Sequence, residues 1–81
     1  MNDGTLLAVR QTAADVFGRR LDAVTARDSR DTIPEWDSIA HVNLVVALEQ
    51  QFGLQFAPEE MIDMLSIEII AMLVDEKLAA R

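Results

Sequence analysis

Ser38 is a hydroxyl nucleophile set between a turn-rich stretch and an apolar-periodic one, with Trp36 and Asp37 before it and Ile39 and His41 after it. Three kinds of chemistry are open to a serine in that position. It can cap the helix that follows, which is what an arbitrary serine at a helix start most often does. It can carry a phosphate ester, because free N–H groups and the positive end of the helix dipole favour an anion there. It can pair with His41, three residues on and near the same helix face, as the nucleophile of a hydrolase. A hydrolase also needs an orienting acid, an oxyanion hole and a substrate cleft, and 81 residues leave little room for them.

The elements that must position Ser38 can be read from spacing. Ile39, Val42, Val45, Val46, Leu48 and Phe52 recur at three- and four-residue intervals and Gly53 supplies a stop, so a helix is expected from Ser38 to Phe52 with Asp37 or Ser38 at its cap. Leu6, Val9, Ala13, Val16 and Phe17 predict an earlier helix over about residues 4 to 18, capped by Asp3 or Thr5 and ending near Gly18. Residues 19 to 37 hold the turn formers Asp22, Asp28, Ser29, Asp31 and Pro34 with Leu21, Val24, Ile33 and Trp36 among them. A slack connection of that length is uncommon in a compact domain, so a loop packed over the core is expected, with a short helical turn around 21 to 25. Pro58, followed by Glu59 and Glu60, suits the first turn of a short third helix. Ser66 can cap a fourth, striped by Ile67, Ile70, Leu73, Val74 and Leu78. The fold expected is all-α: one domain over 1–81, a small four-helix bundle of three main helices and one short one with a long first loop, and Val45 and Leu73 among the core contacts.

Composition narrows the function classes. With 51% hydrophobic residues but one Trp and three Phe, aliphatic side chains must fill the core. The absence of Cys removes disulfides, thiolate metal sites and cysteine nucleophiles, so any thiol chemistry has to arrive on a cofactor. The start Met1-Asn2-Asp3-Gly4 lacks a secretory pattern and no apolar run approaches membrane-spanning length, so a soluble cytoplasmic protein with no membrane partner is expected. A net charge of −7 argues against nucleic acid. Seven acids face five arginines through residue 37, and seven face only Lys77 and Arg81 beyond it, so the second half is the more acidic. Such a face can steer a basic partner or simply keep the surface solvated.

The order Asp37-Ser38-Ile39, Val42, Leu44-Val45, Ala47-Leu48-Glu49, Phe52-Gly53, then Phe56, Pro58-Glu59-Glu60, Leu65-Ser66-Ile67 and a closing apolar helix resembles the acyl and peptidyl carrier proteins over essentially the whole chain. The resemblance implies that Ser38 carries 4'-phosphopantetheine donated by coenzyme A, that Asp37 supports the modification, and that the protein tethers acyl or aminoacyl groups as thioesters without catalysis of its own. It implies as partners a phosphopantetheinyl transferase, an acyl- or aminoacyl-loading ligase or transferase, and downstream pathway enzymes acting on a monomer. The docking face it implies is the start of the second helix: Trp36, Ile39, Ala40, His41, Val42, Asn43 and, further along, Glu49. Ala40 and Asn43 stand where fatty-acid carriers are commonly acidic, and Ile39 where Leu is usual. These departures argue against docking to a standard fatty acid synthase, while the Trp36-Asp37-Ser38 start and the His41-Val42-Asn43-Leu44 run look more like free-standing carriers of specialised pathways.

The remaining polar residues have plain readings beside functional ones. Asp28, Asp31, Glu35 and Asp37 crowd one loop, but without EF-hand spacing they read as solvated acids, and no metal site is expected. Met61, Met64 and Met72 either fill gaps in a small core or let it open for an acyl chain. Trp36 is a lid on the loop or a contact for a partner. The rival to a carrier is an acidic helical adaptor in which Ser38 is a cap or a kinase target.

Overall fold

Among the described residues four helices form where the sequence signals place them: α1 (Asp3–Phe17), α2 (Ser38–Phe52), α3 (Pro58–Ile62) and α4 (Ile67–Ala79), with a 3-10 turn at Leu21–Ala23 in the long first connection. The structure, a computed structural model, describes residues 3–80. No strand occurs among them; the nearest approach is an isolated bridge between Ser29 and Ser66. Nor, among these residues, is any helix long and apolar enough to cross a membrane.

α1 packs against both α2 and α4. Val9, Ala13, Ala14 and Phe17 from α1, Leu44, Val45 and Leu48 from α2, and Ile67, Ile70, Ala71 and Val74 from α4 form one buried cluster. Leu73 packs on its margin, half-buried, and Val74 takes the interior position next to it. α1 starts at Asp3, so its cap lies outside the described residues; Thr5, the other residue expected there, is buried inside the helix. α2 ends as the sequence predicts, at Gly53 in the left-handed region (φ 65°) with its N–H bonded to Glu49 O. A side chain there would be strained.

The expected stripe of α2 is only half right. Val45 and Leu48 are buried with Leu44, but Ile39, Val42 and Val46 lie exposed on the opposite side. Residues 39 to 48 are apolar at all but two positions, so three- and four-residue spacing is satisfied by two different faces. Turning about 100° per residue, the helix can bury only one of them.

The long connection is packed, as expected. Val24, Ile33 and Trp36 are buried, and its backbone is tied to the start of α4. Ile67 N–H donates to Asp28 O and Glu68 N–H to Ala26 O, both at 3.0 Å. Ile69 N–H donates to the Ser66 hydroxyl at 3.2 Å, the cap the sequence predicts. The loop therefore completes the first turn of α4, whose donors a helix cannot satisfy itself. Asp28 holds this loop in shape, accepting from Thr25 N–H at 2.8 Å, the Thr32 hydroxyl at 2.8 Å and the Thr25 hydroxyl at 3.2 Å. Partial burial pushes its carboxyl up, but these hydrogen bonds outweigh the burial and hold it below the usual carboxylate range.

Two predictions follow from this packing. Leu44→Ala should cost about 2–5 kcal/mol by urea unfolding, whereas Val42→Ala should stay within about 0.5 kcal/mol of wild type; equal losses would place α2 in the wrong rotation. Because Asp28 is depressed in the folded state, its contribution is present above the unfolded aspartate value of about 4 and is lost as pH falls through the lower folded value. Asp28→Asn should therefore destabilise the protein by about 1–2 kcal/mol at pH 7 and narrow the gap to wild type as pH drops through that window. A gap that stays constant with pH would rule out an ionic role.

Candidate functional site

The site is built where the loop turns into α2. Asp37, extended at φ −91° and ψ −173°, is the cap: its carboxylate accepts from Ala40 N–H at 2.8 Å and its carbonyl from His41 N–H at 2.9 Å. Of the two residues expected at the cap, the carboxylate takes the position, and Ser38 becomes the first helical residue. Its hydroxyl is exposed and outside the capping geometry. Among the described residues, neither Ser38 N–H nor Ile39 N–H has a protein acceptor. Ser66 presents the contrast: its hydroxyl is spent as a cap, and the two donors after it are spent on loop carbonyls.

His41 faces inward, half-buried, and not outward as the sequence suggested. Its Nδ1 accepts from the Trp36 indole N–H at 2.9 Å, and its Nε2 lies 2.9 Å from Met61 O. An indole nitrogen can only donate and a carbonyl can only accept, so the arrangement that satisfies both is the neutral ring with its proton on Nε2. The ring stacks on Trp36 at 6.0 Å between centroids, and Trp36 sits 5.2 Å from Phe17. One side chain thus joins the loop, α2 and α3. It also leaves no ring nitrogen to serve Ser38 as a base, which removes the Ser-His pairing.

The expected docking residues divide accordingly. Ile39 (74% exposed), Val42 and Asn43 present an open face beside Ser38, and Val46 extends it. Trp36, at 2% exposure, is neither a lid nor a partner contact; it is core, because the loop folds its indole under α2 onto Phe17. Ala40 is half-buried against the core. Glu49 is half-buried and accepts from Phe56 N–H at 2.9 Å, so it braces the connection to α3 and is not free for docking. Ile62 and Leu65, exposed and apolar on and after α3, belong to the same end of the molecule and were not foreseen.

A groove of about 400 Å³ opens beside His41, lined by Arg30, Pro58, Met61, Ile62, Met64 and Leu65. Of the three methionines singled out by sequence, Met61 and Met64 line it, while Met72 is exposed on α4. α3 is only five residues long, too short to hold itself, and is secured from outside. Glu60 accepts from Ala57 N–H at 2.7 Å and pairs with Lys77 at 2.9 Å. This is half of a capping box, since Ala57 has no side-chain acceptor. The loop acids have separate work: Asp28 shapes the turn, Glu35 pairs with Arg19 at 2.8 Å, and Asp37 caps α2. Among the described residues no three metal-capable side chains converge. No protein-family model matches the chain, and no curated protein matches its sequence.

His41→Leu should leave the buried indole N–H without an acceptor, at a cost of about 1–3 kcal/mol. Trp36 is the single tryptophan, so its fluorescence reports this site alone. Emission should shift to the red as the loop loosens; unchanged emission and unchanged stability would show that the bridge carries no weight.

Proposed function

We propose that the chain is a phosphopantetheine-dependent carrier protein with Ser38 as the attachment residue, a reading that the sequence resemblance suggests and the site geometry supports. The observation that carries it is the cap: Asp37 takes the capping bond, so the Ser38 hydroxyl stands exposed, touched only by a long 3.4 Å contact from Arg30, beside two N–H groups without protein acceptors among the described residues. A serine phosphodiester fits that place, because those donors and the helix dipole favour its charge. On a partner transferase, Ser38 Oγ attacks the pyrophosphate of coenzyme A, its proton passing to the transferase and the adenosine bisphosphate leaving. The arm supplies a terminal thiol that holds acyl or aminoacyl groups as thioesters, and tethering replaces diffusion with a high effective concentration at each docked enzyme.

The chain's own residues do the presenting. Ile39 and Val42, with the polar Asn43, give partner enzymes a largely apolar, uncharged surface next to the attachment point, and the groove beside His41 offers apolar shelter at the same end. With no acid among these exposed residues, partner choice rests more on shape and apolar contact than on charge. A specialised biosynthetic pathway in the cytoplasm, with the chain acting as a monomer on a loading ligase or transferase, fits this surface better than a standard fatty acid synthase. The adaptor reading loses its simplest form, since Ser38 is not the cap.

Incubation with coenzyme A and a broad-specificity pantetheinyl transferase should add one phosphopantetheine by intact mass. Ser38→Ala should fold and gain nothing, and Ser66→Ala should behave as wild type. Modification of the Ser38→Ala protein would sink the assignment.

A further inference from the structure

The loop before α2 carries four arginines, Arg19, Arg20, Arg27 and Arg30, whose surroundings differ. Arg20 pairs with Asp22, and Arg30, also exposed, has no carboxylate within ion-pair distance among the described residues. What Arg30 does reach is Ser38: a guanidinium nitrogen lies 3.4 Å from the serine Oγ, a long contact across the mouth of the site. The same side chain is the one charged member of the groove wall otherwise made by His41, Pro58 and the apolar residues after it. A cation held against a hydroxyl gains little where it stands, since the contact is long and the acceptor carries no charge. The gain is larger once that oxygen bears a charged phosphoryl group, because a guanidinium presents several donors in a planar fork and charge-assisted bonds are roughly twice as strong as neutral ones.

We propose that Arg30 is a positioning residue: it pairs with the phosphodiester formed on Ser38 and holds the base of the arm on the groove side of α2, away from the open face of Ile39 and Val42. This rests on Ser38 being the attachment residue. The pair sits at the surface, so it is salt-sensitive. By about 0.5 M salt, where the Debye length is on the order of 4 Å, it is largely screened and the base of the arm moves freely. Arg30 plays no part in the covalent step.

The test uses the full chain in its arm-bearing form. Wild type, Arg30→Gln, Arg30→Lys and Arg27→Gln are each treated with coenzyme A and a broad-specificity pantetheinyl transferase. Intact mass establishes attachment before anything else is measured. Phosphorus NMR then follows the phosphodiester from low salt to about 0.5 M, and nitrogen NMR follows the Arg30 guanidinium before and after attachment. The expected result is a shift of the wild-type guanidinium resonance on attachment and a phosphorus resonance that moves and narrows as salt rises. That salt response should be lost in Arg30→Gln, partly kept in Arg30→Lys and unchanged in Arg27→Gln, which alters the same net charge in the same loop. Equal attachment in all four proteins with identical phosphorus spectra and a stationary Arg30 resonance would overturn the pairing while leaving the carrier reading intact. Absence of attachment in every protein, wild type included, would overturn both. The wild-type measurement stands without the variants, should any of them fail to fold.

Discussion

One hydrogen bond divides the labour at the start of α2: the Asp37 carboxylate accepts the Ala40 N–H. Either neighbour could have capped this helix, and the outcome matters because a capping serine turns its hydroxyl back onto the backbone. With aspartate in that role, Ser38 is the first residue of the helix, its hydroxyl outward and its own N–H unspent. The chain holds a second serine at a helix start, Ser66, and treats it in the opposite way, with hydroxyl and neighbouring donors all consumed. The difference between a structural and a chemically available serine thus lies one residue upstream of it.

Starting α2 at Ser38 also places His41 a turn later on the inward side, where it bridges Trp36 and Met61. A five-residue helix cannot persist alone, and α3 is held by this imidazole and by the Glu60–Lys77 pair. The groove beside His41 depends on α3 staying in place, so this histidine shapes a space whose wall includes Arg30, the neighbour of Ser38. The long connection contributes from the other side: Asp28 orders the turn whose carbonyls complete α4, and Arg30 rises from the same loop beside Ser38.

Much of the fold was legible because it depends on local signals. The start of α3 at Pro58, the Ser66 cap and the Gly53 stop are encoded within a few residues and appear where they were expected. The rotation of α2 was not, because Ile39, Val42 and Val46 satisfy helical spacing as well as Leu44 and Leu48 do; only the position of α1 decides which set is buried. Trp36 and His41 were misplaced for a related reason. Their partners lie five and twenty residues apart, and nothing in the local sequence announces an indole-to-imidazole bond. Glu49 has the same history, since its bond to Phe56 N–H crosses a loop. At the candidate site, the neighbours of Ser38 singled it out as a residue to consider, whereas the choice between Asp37 and Ser38 as cap needed backbone angles.

If Ser38 is the attachment residue, the start of α2, and not that of α4, receives the phosphodiester. Backbone-amide NMR before and after treatment with coenzyme A and a pantetheinyl transferase tests it directly. The Ser38 and Ile39 amide resonances should move most, as their free N–H groups gain an anionic acceptor, while those of Ile67 and Glu68, already bonded to the loop, should stay in place. Large shifts at Ile67 and Glu68 with Ser38 and Ile39 unmoved would contradict it.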